Sequence, residues 1–171
     1  MSEIVQLFAQ IALLRRGPQD VPASALLLSL TIVAYVAMHG LVAGLLPPIS
    51  NWPAQLAVEV SFTLLWYAAL LRLVGRPERM LQTVTAVFGF QTVLAPVVIA
   101  SVWLVSRFGA DATLRAPVTL LWLALLIWLV AANSHVVRCA LEWSSVASVG
   151  LVLLQLATGQ MLLWALFHPG A

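Results

Sequence analysis

Residues 24–46 read SALLLSLTIVAYVAMHGLVAGLL, and residues 54–74 read AQLAVEVSFTLLWYAALLRLV. Each is an apolar run of about twenty residues, the length a helix needs to cross roughly 30 Å of hydrocarbon at about 1.5 Å per residue. The first stops at Pro47-Pro48 and the second begins after Asn51-Trp52-Pro53, so the two predict a helical hairpin closed by a short uncharged turn. Three more runs follow, at about 81–105, 117–137 and 146–167, ahead of the tail His168-Pro169-Gly170-Ala171. The third carries Pro96, whose missing backbone donor is expected to kink the helix.

The composition agrees with lipid as the main solvent. Hydrophobic residues make up 63% of the 171 positions and charged residues only 8%, against near half and a quarter in soluble domains. No hydrophilic segment exceeds about a dozen residues, so the fold class expected is all-α: a single polytopic membrane domain over 1–171 with five transmembrane helices. The basic residues are all arginine, the net charge is +2, and nothing clusters beyond Arg15-Arg16, which gives nucleic-acid binding no support. With a single cysteine, Cys139, neither an intramolecular disulfide nor a CxxC redox motif is possible.

Residues 3–16 place Glu3, Gln6 and Gln10 on one helical face, opposite Ile4, Val5, Leu7, Phe8, Ile11, Ala12 and Leu14. That pattern predicts an amphipathic helix too short to span, lying on the cytoplasmic surface and ended by Gly17-Pro18. Its arginine pair follows the apolar stretch, the reverse of a cleavable signal peptide, so the N-terminus is expected to be retained.

Orientation follows from the arginines, because short cytoplasmic loops retain basic residues. With the N-terminus inside, Arg15, Arg16, Arg72, Arg76, Arg79 and Arg138 are cytoplasmic and only Arg107 and Arg115 lie outside. Trp52, Trp103, Trp122 and Trp164 then fall near the outer interface, as an aromatic belt requires. The expected location is a bacterial inner membrane, with the C-terminus periplasmic.

Polar residues inside apolar runs are costly and point to packing or function. Thr31, Tyr35 and His39 recur every fourth residue in the first run, and Gln55, Glu59, Thr63 and Tyr67 do so in the second. The hairpin is expected to bring these stripes face to face. His39 and Glu59 are placed roughly 10 Å and 8 Å below the outer surface, so a His39–Glu59 hydrogen bond or ion pair is predicted. That pair could lock the hairpin, form a proton or ion site, or, with His168 as a third ligand, hold a metal. No HxxxH or HxxE spacing supports the metal, and no metal or cofactor is expected.

Smaller stripes run through Thr85, Gly89, Thr92 and Pro96 and through Ser144, Ser148, Gln155 and Gly159, where small residues let helices approach closely. Gly40 and Gly44 form a GxxxG step that reads as internal packing. Asn133, Ser134, His135, Arg138 and Glu142 read as a solvated helix end at the cytoplasmic interface. No Gly-x-Ser-x-Gly, HExxH, paired intramembrane aspartates or phosphate-cradling glycine loop occurs, so no catalytic residue is assigned and no enzyme is expected.

The linker Val74-Gly75-Arg76-Pro77-Glu78-Arg79-Met80-Leu81-Gln82-Thr83, followed by Val87 and Pro96, resembles the glycine, basic residue, hydrophobe-Gln-Thr run and later proline of the Yip1-domain family of small membrane proteins. An N-terminal amphipathic stretch and five closely spaced spans are similar to that family's layout. The leucine, alanine, valine and arginine content without lysine looks like a bacterial chain. Bacterial members resemble accessory membrane proteins without assigned chemistry.

Three functions are therefore expected in order. The first is a non-enzymatic accessory or scaffold subunit that binds and stabilises or regulates a larger membrane complex, docking through the N-terminal helix and the Arg72, Arg76 and Arg79 linker. The second is a small transporter or ion- or proton-coupled permease using Glu59 and His39 with Gln155. The third is a lipid-binding or membrane-shaping protein drawn to anionic lipid by Arg15 and Arg16. The bilayer is a partner in all three, and the soluble substrate, if any, is unknown.

Overall fold

A computed structural model of the chain describes residues 2–45, 51–109, 111 and 113–167. Among them the secondary structure is helical throughout: α1 (Ser2–Ala12), α2 (Ala25–Leu45), α3 (Trp52–Leu73), α4 (Met80–Phe108), α5 (Arg115–Leu141) and α6 (Ser145–Phe167), with 3-10 turns at Pro18–Asp20 and Pro77–Arg79. Four stretches, Trp52–Leu73, Pro77–Phe108, Arg115–Leu141 and Ser145–Phe167, are long and apolar enough to cross a membrane. Helix α2 is likewise apolar along Ala25–Leu41. These helices are consistent with an integral membrane protein. The Pro47-Pro48 turn and His168 lie outside the described residues.

Helix α4 is the hub, packing against α1, α2, α3 and α5, while α6 closes the bundle between α3 and α5. The hairpin partners α2 and α3 meet each other far less than α2 meets α4. Every residue from Thr83 to Phe90 is buried, as are Ala132, Val136, Val137, Ala140 and Leu141 of α5 and Leu71 of α3. The dense core thus sits at the end of the bundle where α3 ends and α4 begins. Toward the other end packing thins out: α5 from Arg115 to Trp128 is exposed on nearly every face. Helix α4 continues through Pro96 as one element, although proline leaves the Thr92 carbonyl without its intrahelical donor.

The N-terminal helix departs from its sequence reading. It ends at Ala12 rather than extending to residue 16, because Leu14 turns left-handed at φ 61°. Arg15 N–H then bonds the Gln10 carbonyl and Leu14 N–H the Ile11 carbonyl, a Schellman closure. Nor does the helix rest only on a surface: Phe8, Ile11 and Ala12 are buried against the bundle, and the Phe8 ring lies where a side chain on Gly89 would be. Glu3 and Gln6 face outward as the amphipathic pattern requires.

The loop after α1 is pinned as well. The Trp128 indole N–H donates to the Ala12 carbonyl at 3.0 Å, His135 Nε2 contacts the Arg16 carbonyl at 3.1 Å, and the Gln82 amide donates to the Val21 carbonyl at 2.9 Å. Because a carbonyl only accepts, Nε2 of His135 carries the proton in that contact. Trp128→Phe keeps the ring but removes one donor, so we expect a loss of about 1 kcal/mol and faster amide hydrogen exchange across residues 3–12. Unchanged exchange there would show that the indole bond does not hold α1.

The linker that carries the family-like motif is a structural clamp. Gly75 adopts φ +75°, a conformation open to glycine at little cost, and closes α3 with bonds from its own N–H to Arg72 and from Arg76 N–H to Leu71. Arg76 and Arg79 converge on Glu142 in the α5–α6 turn at 2.7 and 2.8 Å, and Arg79 also donates to the Cys139 and Ala140 carbonyls at the end of α5. Cations there satisfy carbonyls that the helix leaves open. Thr83 caps the Arg79 carbonyl from within α4 at 2.8 Å.

Hydrogen bonds from Arg76 and Arg79 hold the Glu142 carboxyl down at about 2, below its ordinary 4.5. A depressed carboxyl stabilises the fold fully above about pH 4.5, and that contribution disappears as pH falls toward 2. Acid unfolding in detergent is therefore expected to begin in that window for the wild type, and the component due to this clamp to vanish in Glu142→Gln. Identical acid profiles for the two proteins would show that the cluster contributes nothing; it is exposed enough for solvent to screen it strongly.

Candidate functional site

Beyond the dense core, the side chains of α2, α3, α4, α5 and α6 leave a cavity of about 250 Å³. A second, of about 140 Å³, adjoins it between α3 and α6. Glu59, Gln91, Asn133 and Leu156 border both, so Glu59 stands in the wall between two connected spaces. The larger cavity has a polar base, formed by Tyr35, His39, Glu59, Gln91 and Asn133, and an apolar remainder formed by residues such as Val98, Ile99, Leu126, Leu129 and Val152. Thr63, Gln155 and Gln160 add polar groups to the smaller one.

The helices set these groups by spacing alone. Tyr35 and His39 are one turn apart on α2, so their rings stack at 4.0 Å between centroids. His39 Nδ1 meets the Tyr35 carbonyl at 2.9 Å and must donate to it, which in the neutral ring leaves Nε2 as an acceptor. The Tyr35 hydroxyl reaches across to α3 and donates to Glu59 Oε1 at 2.7 Å, while its ring stands edge-on to Phe88 at 5.0 Å.

The predicted His39–Glu59 bond is thus replaced by a Tyr35–Glu59 bond. The phenol outreaches the imidazole, and the imidazole folds back onto its own helix. Both side chains nevertheless border the same cavity. Glu59 keeps exposed surface despite its tyrosine partner, and its second oxygen, which accepts no hydrogen bond among the described residues, is open to another donor or a cation.

Other sequence-selected residues divide between site and scaffold. Thr31 is buried and bonds back to the Leu27 carbonyl at 2.7 Å, a purely local contact. Gln55 is half-buried near the start of α3. Tyr67, fully buried, donates to Asn133 Oδ1 at 3.1 Å, tying α3 to α5. Gln155 is buried on α6 with its side-chain oxygen unbonded among the described residues. Arg15, Arg16 and Arg72 are exposed, whereas Arg76 and Arg79 are committed to Glu142. A methyl group added at Gly40 would lie 3.6 Å from the Trp52 ring and one at Gly159 3.2 Å from the Phe62 ring, so both glycines face internal neighbours.

No family model, curated protein or solved structure matches the chain. What the site can do therefore rests on its own chemistry.

Two site residues escape the sequence reading. Asn133, assigned there to a solvated helix end, is 6% exposed and faces the polar base, because α5 runs on to Leu141 and carries Asn133 two turns inside its end. Ser134 is buried beside it. Gln91 of α4, which lies off the Thr85–Gly89–Thr92 stripe, borders both cavities. A single amide within an apolar run is itself the signal for both, since burying one without a partner costs several kcal/mol. Among the described residues no three His, Cys, Asp or Glu side chains come together as a metal site.

Proposed function

We propose that the chain is a membrane protein with five spans that binds a small ligand in the Glu59 cavity without transforming it, as a carrier or permease would. The observation that carries this reading is a carboxylate in the wall of a cavity at mid-bundle, closed on one side by the Thr83–Phe90 core and loosely packed on the other. Cavities with apolar walls and a few convergent polar groups are the usual form of ligand sites. An ionisable side chain within the bilayer is retained at a cost that needs a return. In the proposed orientation α1 and the Arg76–Arg79–Glu142 clamp are cytoplasmic, the cavity lies on the outer side of the Thr83–Phe90 core, and the membrane is a bacterial inner membrane. Resemblance to the Yip1-domain linker supports the five-span count.

Dicyclohexylcarbodiimide, an apolar reagent for carboxyl groups within membranes, tests the site. The full chain in nanodiscs is expected to gain one adduct at Glu59, readable by mass spectrometry, and the Glu59→Gln protein none at α3. Absence of an adduct at Glu59 in folded wild-type protein would mean that the carboxyl is sealed, and the cavity reading fails.

A second reading, an accessory subunit seated on a larger membrane complex, is favoured by one feature. The outer part of α5, Arg115–Trp128, lacks neighbours on nearly every face, although Trp122 and a run of leucines there could pack against another protein. It predicts a stoichiometric partner on purification in mild detergent, crosslinked through cysteines placed at 119–127. The two docking surfaces named from sequence support it less, since α1 is packed into the bundle and Arg76 and Arg79 are used internally.

A further inference from the structure

We propose that the ligand of this cavity is an organic cation with an apolar body, held by Glu59. The inference rests on the cavity reading and adds the ligand's class. Charge decides it: among the described residues bordering the two cavities, Glu59 is the only carboxylate, and no arginine borders either. The other polar groups facing them are His39 and Tyr35 from α2, Thr63 from α3, Gln91 from α4, Asn133 from α5 and Gln155 and Gln160 from α6.

An anion would meet Glu59 with no fixed positive charge to offset it, and a sugar-like solute would leave its hydroxyls against Val98, Ile99, Leu126 and Leu129 without partners. A cation whose charge is carried on an apolar frame satisfies both halves of the wall. It pairs with the Glu59 oxygen that Tyr35 does not occupy and lays its apolar frame against Val98, Ile99, Leu126 and Leu129. The volume of about 250 Å³ exceeds the roughly 150 Å³ that accepts a benzene ring, so a body of one ring with a small ammonium head fits.

The test uses benzyltrimethylammonium, whose charge is independent of pH, and its uncharged isostere neopentylbenzene, with equilibrium binding measured on the full chain in nanodiscs against empty nanodiscs. The cation is expected to bind about tenfold more tightly than the neutral isostere. Glu59→Gln is expected to weaken the cation by about tenfold or more and to spare the isostere. His39→Gln is expected to keep the preference for the cation; its loss there would move the effect to the imidazole and overturn the assignment to Glu59.

Equal binding of cation and isostere overturns the cation proposal and leaves a cavity that binds apolar molecules. Failure of both probes to bind, with carbodiimide also failing to reach Glu59, removes the cavity reading itself. If Glu59→Gln does not fold, the comparison of the two probes in the wild type still decides the matter.

Discussion

Gly89→Leu is expected to expel α1 from the bundle. The Phe8 ring occupies the space a side chain at position 89 would need, and both residues sit within the densest packing of the molecule, with Val84 and Phe90 fully buried nearby. Close-packed interiors do not yield to added methylenes without displacing something. α4 is fixed by four neighbouring helices whereas α1 is a terminal element of eleven residues, so α1 gives way. The cost is about 1–3 kcal/mol of stability, measured by unfolding in a mixed micelle, together with hydrogen exchange in residues 3–12 as fast as in a free peptide. A Gly89→Leu protein with α1 still protected would mean that Phe8 finds another seat and that the ring–glycine contact does not position the helix.

Tyr67 carries the second large effect. Its side chain is 1% exposed and its hydroxyl joins α3 to Asn133 of α5 beside the cavities. Tyr67→Ala removes a whole ring from a packed site and is expected to cost on the order of 3 kcal/mol. Tyr67→Phe keeps the ring and deletes only the donor, leaving Asn133 Oδ1 in want of one, for about 1–2 kcal/mol. The ratio separates packing from hydrogen bonding. Equal losses for the two variants would place nearly all of the energy in the polar bond, as a setting without water could favour; no loss for Tyr67→Phe would show that Asn133 bonds elsewhere.

The helices themselves were legible from the apolar runs, because helix length against bilayer thickness is a one-dimensional constraint that the sequence carries directly. The predicted runs at 54–74 and 146–167 fall within a residue or two of α3 and α6. Which faces meet is a different matter, for it depends on the packing of helices distant in sequence. The stripe of Tyr35 and Glu59 does converge across α2 and α3, but the atom that reaches the carboxylate is a phenol, not an imidazole.

Asn133 was misplaced for a related reason. Its neighbours His135, Arg138 and Glu142 lie near the end of α5 and suggest a wet helix terminus, yet Asn133 is far enough along to face Tyr67. The arginine linker looked like a free basic surface because its counter-charge, Glu142, lies more than sixty residues downstream. Such pairings have no signature in the local pattern.

The seat of α1 bears on the order in which the molecule can be made. Phe8 and Ala12 leave the ribosome well before their partners, Gly89 and Trp128, the second pair being separated by 116 residues. The leading segment must therefore remain unpaired while α2, α3 and α4 are inserted, and dock only once α5 is in place. A bulky fusion at the N-terminus would be borne through that whole interval beside the site where the segment finally lodges, whereas a short tag would trail into solvent from Glu3 on the outward face.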